Sequence, residues 1–391
     1  MGQLSPDRVP DTKTYLEFPL TDPVAAAKHI RTYGYPLFLK LDWTADQRIT
    51  PFLHLAVHCC AVWILFVALR RWGYPTGAAM GIASGILWSL TLMRYGRMIT
   101  PDCLAHSLGV IAISLLLFLL KEPGRKLWWL SLGLAVLAAY HCRPAYVFLV
   151  ALVPSLGVLL RWWQSAKIQP AWRELGGLGG RLALMTLVPL LLFAGYRFWM
   201  VGHFGLVAFG GYNASGVICQ FLQEDDIPKL PEEFRQLATR GLERRELVYA
   251  KHGWSTAPTT SYFTIEQRFD ESTWRVFVPA AKEIWPDDPI EINRRLSGLA
   301  RATARLHPKE YATWLVKAAV RGCYLLAAEW ILNVFVAVML PTCIVLYLMR
   351  MKLRRTRPSS SQVEPAVDLI SLPLIIAVSV ASTKLGLVII T

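Results

Sequence analysis

The sequence predicts an all-α membrane protein: a polytopic transmembrane helical bundle of about eight spans, with external loops and one external loop domain. Three observations predict it. The 391 residues are 54% hydrophobic and only 17% charged, too little charge to cover a soluble domain of that length. Several apolar runs approach the roughly 20 residues that cross a bilayer. Lys and Arg outnumber Asp and Glu to a formal net charge of +14, and most of the excess gathers in short loops between apolar runs. That excess has two readings: the cytoplasmic Lys/Arg bias of a multi-span protein, or a site for anionic lipid or phosphate. The seven cysteines make no CxxC pair, so neither a zinc site nor a disulfide framework is expected.

Residues 1–50 are polar to mildly amphipathic, and Met1 to Pro10 has no apolar core for a signal peptide. A short surface helix is expected after Asp22-Pro23, and Arg31 to Leu41 reads as the entry to the membrane. Transmembrane helices fill 51–202. The expected spans are about 52–69, 77–93, 103–120, 127–141, 144–160 and 182–201. Gly77, Gly81 and Gly85 stand four apart, a spacing for close helix packing. Asp102 follows Pro101, which suits a helix start, and the Trp162-Trp163 pair reads as an interfacial anchor. Residues 203–325 break the pattern with charge, Pro and turn residues, and read as an external soluble loop domain with helix-like pieces at 231–247 and 290–306. An amphipathic stretch, 311–328, is expected along the membrane surface. Residues 326–391 hold the last spans, about 329–349 and 366–390, around a basic cytoplasmic loop.

Topology follows from the loop charges. Loops after the first, third, fifth and seventh spans carry two, three, four and five Lys/Arg, and those after the second and fourth carry two and one. The first set is therefore expected in the cytoplasm. The N-terminal segment, the 94–102 loop, the 141–144 turn and 203–325 then share the opposite side. A tail of 50 residues carrying Arg8, Lys13, Lys28, Arg31, Lys40 and Arg48 has no means of crossing alone. A helix is expected upstream of Met1, and the chain is expected to start late and end early.

The order of these pieces resembles the C-type membrane glycosyltransferases, relatives of the protein O-mannosyltransferases and the lipid A aminoarabinose transferases. The residues that carry the resemblance are Pro10-Asp11-Thr-Lys-Thr-Tyr15, Arg31-Thr-Tyr-Gly34-Tyr35-Pro36, His54-Leu-Ala-Val57, Ile99-Thr-Pro-Asp102-Cys-Leu-Ala105 and Arg143-Pro144, over about 10–220. The resemblance implies a polyprenyl-phosphate sugar donor, an acceptor on the outer face, and a catalytic carboxylate in the first external loop, which maps onto Asp11. Here Asp11 is followed by Thr12, where the mannosyltransferase subgroup shows an Asp-Glu pair.

The chemistry is arguable from residue types as well. A lipid phosphate is a good leaving group, so the enzyme must deprotonate an acceptor hydroxyl and hold the departing charge. Asp11 is the candidate base; a turn residue after Pro10 is its alternative. Arg31, Arg97 and Arg143 are candidate phosphate holders, or residues that snorkel to headgroups. Asp102 is a second candidate catalytic carboxylate. It binds a divalent cation (Mg or Mn) together with Asp11, or caps the following helix. Tyr15, Tyr35 and His106 complete the candidate substrate-binding set, with interface packing as the alternative for Tyr35. His54 and His58 share a helical face, as metal ligands or as packing groups. The Asn213-Ala-Ser215 sequon is expected on the external side and matters only in a glycosylating host.

The expected partners are a polyprenyl-phosphate sugar, a lipid, glycan or protein acceptor and membrane lipids, with no nucleic acid. The expected location is the cell inner (plasma) membrane, multi-pass, with the active site on the extracytoplasmic side. A transporter or lipid flippase is the competing class. It is ranked lower because no internal repeat is visible and ionisable residues cluster near span ends. A non-catalytic scaffold using 203–325 is the third.

Overall fold

The computed structural model describes residues 5–164, 172–286 and 288–332. Their regular structure is helical: α1 Thr12–Leu16, α2 Pro23–Lys28, α3 Gly34–Leu39, α4 Thr50–Arg71, α5 Thr76–Leu87, α6 Leu90–Tyr95, α7 Asp102–Lys121, α8 Lys126–Cys142, α9 Leu149–Gln164, α10 Trp172–Val201, α11 Gly210–Ile218, α12 Glu232–His252, α13 Tyr262–Glu271, α14 Val278–Ile284, α15 Pro289–Leu306 and α16 Pro308–Leu332. Short 3₁₀ turns cover Pro144–Phe148 and Glu224–Lys229, and a π turn covers Ser272–Phe277. Among the described residues there is no β-strand, only an isolated parallel bridge from Asp7 to Met98.

Four stretches are long and apolar enough to cross a membrane: Thr50–Arg71, Asp102–Lys121, Pro144–Gln164 and Trp172–Val201. The chain therefore has the character of a membrane protein with several spans. The expected span at 77–93 is not continuous. α5 stops at Leu87, and Ser89 restarts the chain as the cap of α6, its hydroxyl accepting from Leu92 N at 3.3 Å. His58 Nε2 lies 3.1 Å from the Ile86 carbonyl and satisfies one of the acceptors that the stop exposes. α10 is helical from Trp172, the first described residue after 164, so the Gly- and Arg-bearing run before the expected 182 is part of the helix. The expected span 366–390 lies outside the described residues, as does 329–349 beyond the end of α16.

The chain divides into two units. The first draws on residues up to Leu20 and on Thr32–Phe193; the second draws on Thr21–Arg31 and Ala194–Tyr324. In the first, α7 is the axis. Its apolar window is 78% buried, against 39% for α4, as befits a helix apolar on every side. α4 and α8 pack along it. One end of this group is pinned by Glu122, which takes Arg71 at 2.9 Å, Arg125 at 2.8 Å and Trp128 Nε1 at 3.1 Å. The segments that carry the candidate site meet at the other end of α7.

The second unit has its own core, including Phe221, Leu237, Phe277, Leu296 and Leu299. Within 203–325 the helix-like pieces expected at 231–247 and 290–306 are the helices α12 and α15, and α11, α13, α14 and most of α16 add further helix, with α11 packed on α15. On α16, Tyr311 and Trp314 turn toward this core, while Val316 and Val320 are exposed. The sequon lies inside α11, where the Ser215 hydroxyl is buried and donates to the Tyr212 carbonyl at 2.9 Å.

Candidate functional site

Three stretches distant in sequence meet at the N-terminal end of α7. The first is the segment that leads into α1. The Asp7 amide donates to the Arg97 carbonyl at 2.9 Å, and the Ile99 amide returns a bond of 2.9 Å to the Asp7 carbonyl. The Arg97 guanidinium adds a loose ion pair to the Asp7 carboxylate at 3.8 Å. Thr12 closes the join. Its buried hydroxyl donates to the Ile99 carbonyl at 3.1 Å and accepts from the Val9 amide at 3.0 Å.

Asp11 stands at the start of α1, exposed, with no side-chain capping bond. Its carbonyl accepts from the Thr14 amide and hydroxyl. The carboxylate is thus carried by a segment fixed on both sides, through Asp7 and Thr12.

The second stretch is the 96–102 loop, held from below. His54 Nδ1 is 3.1 Å from the Gly96 carbonyl, which only accepts, so that nitrogen carries the proton. Nε2 is then the acceptor for the Tyr35 hydroxyl at 3.4 Å. The imidazole stacks against Phe38 at 5.5 Å and Tyr35 at 5.9 Å. Tyr15 meets Tyr35 edge-to-face at 5.1 Å. Burial pushes the Tyr35 phenol well above its ordinary pKa, so it remains a neutral donor. Tyr15 and Tyr35 are core residues, 7% and 0% exposed; they support the loops.

The third stretch is the turn after α8. Arg143 is extended (φ −140°, ψ 113°), as the ring of Pro144 requires of the residue before it. Its guanidinium pairs with the Asp102 carboxylate, and the arginine side chain stays 40% exposed. Asp102 is the first residue of α7, with Pro101 in the capping position, and its carboxylate is engaged by Arg143. The turn is seated by two residues of the 31–36 motif. Thr32 donates to the His141 carbonyl at 2.6 Å. Gly34 lies so close that an added Cβ would stand 2.5 Å from His141 C and 2.6 Å from Cys142 N.

The structure therefore brings Asp11, Arg97, Asp102 and Arg143 into one unit on interlocked segments. His106 lies one turn into α7 and stacks on His58 at 5.7 Å. Arg31 belongs to the second unit, where its guanidinium carbon lies 5.9 Å from the Phe209 ring centre and its amide donates to His29 Nδ1 at 3.1 Å. Burial, aided by the Arg31 charge, lowers the His29 pKa. Arg197, itself buried, holds this segment through the Ala27 carbonyl at 2.6 Å and 3.0 Å.

No group of three or more His, Cys, Asp or Glu suited to a metal ion occurs among the described residues. The Asp102 carboxylate, one half of the expected cation pair, is engaged by Arg143. Sequence reasoning passed over Thr12, Thr32 and Gly34. Gly34 had a signal, since a glycine between two tyrosines at a membrane entry marks a close backbone approach. Comparison of the chain with family models, with curated proteins and with solved structures found no match.

Proposed function

We propose that this chain is a membrane glycosyltransferase that moves a sugar from a polyprenyl-phosphate donor to an acceptor hydroxyl at the extracytoplasmic face of a cell membrane. The observation that carries the reading is the union, at one end of α7, of an exposed carboxylate with two partly exposed guanidiniums on mutually hydrogen-bonded segments. In the reaction the acceptor oxygen forms a bond to the anomeric carbon, and the bond from that carbon to the phosphate oxygen breaks. The acceptor proton passes to Asp11, and the electron pair leaves with the phosphate. Arg97 and Arg143 face that phosphate, whose geometry a guanidinium matches in bidentate fashion. Asp102 orients Arg143, which keeps donors to spare because a guanidinium carries five. No step is assigned to a metal ion.

The test is transfer by full-length protein in lipid nanodiscs, supplied with polyprenyl-phosphate sugars and labelled acceptors. Asp11→Asn is expected to lower kcat by about 10²-fold or more with donor affinity unchanged, the usual scale of a lost general base. Arg143→Lys is expected to weaken donor binding instead. Full turnover by a folded Asp11→Asn protein would remove the base assignment and, with it, the reading.

A further inference from the structure

The Asp102–Arg143 pair has polar neighbours that its ion-pair role does not use. Thr100 Oγ1, Tyr140 Oη and His141 Nδ1 are all shielded from solvent and meet no hydrogen-bond partner among the described residues. Thr100 is 7% exposed and Tyr140 is 0% exposed. Thr100 precedes Asp102 by two residues, and Tyr140 and His141 lie just before Arg143. The ion pair brings these two stretches together. The Tyr140 and His141 rings are in contact, with centres 5.1 Å apart. The His141 backbone is clamped by Thr32 and Gly34, so this group is held in place.

Buried polar groups in proteins are nearly always paired, and an orphan calls for an occupant. Three such atoms stand on the two stretches that the ion pair joins, beside a guanidinium that is still 40% exposed. The chemistry of the three atoms narrows the occupant. A hydroxyl both donates and accepts, and a neutral imidazole nitrogen does either according to tautomer. Atoms of that kind suit the hydroxyls of a sugar, which also do both. A phosphate only accepts, and the neighbouring Arg143 suits it better.

We infer that Thr100, Tyr140 and His141 form a subsite for the hydroxyl-bearing head group of the sugar lipid, next to the Arg143 guanidinium that takes its phosphate. The identity of the head group rests on the glycosyltransferase reading. The subsite itself rests on the orphaned atoms.

Tyr140→Phe and Thr100→Val each remove the polar oxygen with little change of shape. Binding of a polyprenyl-phosphate hexose and of bare polyprenyl phosphate is measured on full-length protein in nanodiscs, together with the Tm of the unliganded protein. The expected result is that each variant binds the hexose lipid about three- to tenfold more weakly, as one lost hydrogen bond implies. Affinity for bare polyprenyl phosphate stays within about twofold, and the unliganded Tm stays level or rises, because an unsatisfied buried group has gone. A fall in Tm with unchanged hexose-lipid affinity overturns the inference, since it shows two structural hydroxyls. Wild-type protein that binds the hexose lipid no better than bare phosphate overturns it too. The transfer assay judges the broader reading separately. Weakened binding in a protein that transfers nothing keeps the subsite and removes the enzyme. Normal transfer with unaltered affinities does the reverse.

Discussion

Gly34 shows how a single side-chain atom governs the site. Its α-carbon faces the backbone at His141 and Cys142, where nothing on that side can move aside as a flexible chain would. Gly34→Ala is expected to cost about 1–3 kcal/mol by overpacking and to displace the Arg143 turn. Its signature is a lower Tm together with weaker phosphate-lipid binding. Asp42 is a second residue on which much depends. Its carboxylate accepts from the Thr44 amide and hydroxyl, the Ile49 amide, and the Thr50 amide and hydroxyl at 2.5–2.9 Å, so it caps α4 from the preceding loop. Burial alone would raise its pKa, but the bonds from Thr44 and Thr50 outweigh burial and lower it. A depressed folded value means that the stabilisation is complete above the ordinary Asp value of about 3.9 and fades as pH falls through the lower folded value. Asp42→Asn is expected to lose about 2 kcal/mol at neutral pH and to flatten the acid limb of a Tm-against-pH curve. An unchanged acid limb would show that other carboxylates set it. At this scale the sequence pointed to Asp11, Arg97, Asp102 and Arg143 by residue type. It was silent on Asp42, whose partners are mostly backbone amides that no side-chain pattern records.

Helix ends were legible wherever polar residues punctuate apolar runs. The expected 103–120 and 127–141 match Asp102–Lys121 and Lys126–Cys142 to within a residue at each end. Legibility failed where a tertiary bond decides. The break between α5 and α6 depends on His58, from another helix, and on the Ser89 hydroxyl. Ser89→Ala is expected to cost about 1 kcal/mol, the usual worth of such a cap, and to loosen the loop that carries Arg97. Hydrogen exchange of 90–99 measures this, and unaltered exchange would mean that the cap is dispensable. In the second unit, Gly211 lets α11 approach α15 closely. An added Cβ would fall 2.9 Å from Ser297 N, and the Gly211 amide donates to Asn293 Oδ1 at 2.8 Å. Gly211→Ala is expected to destabilise that unit by about 2 kcal/mol and leave donor binding by the first unit intact.

The two units differ in what they show to their surroundings. The first exposes large apolar side chains, such as Trp63 at 65% and Leu192 at 69%. The second exposes some as well, such as Trp199 and Phe263, but is also laced with ion pairs at its surface, including Arg235–Glu232, Arg240–Glu243 and Arg294–Glu291. Such pairs stabilise little singly but keep the surface wetted. Heating is therefore expected to give two transitions, one moving with lipid or detergent composition and the other with salt. A single transition that responds to both as a whole would contradict this. Composition made the apolar unit legible at once, because a bilayer-length run needs no partner to be recognised. In the second unit two helices were legible, at 231–247 and 290–306, but their mixed charge hides which faces meet, and only their packing reveals the core.

The hydrogen bond from Thr12 to Ile99 joins residues 87 apart, and that from Thr32 to His141 joins residues 109 apart. On the ribosome this separation becomes time. At about 5–20 residues per second, roughly 4–17 s pass between the emergence of Thr12 and that of its partner. For that interval the join through Thr12 and Ile99 is open, and only nearer contacts such as that of Tyr15 with Tyr35 hold the segment bearing Asp11. The join closes only after the 96–102 loop has been made. The residue proposed for the chemistry thus waits on a loop made well after it, and quality control during biogenesis would meet its segment half-docked.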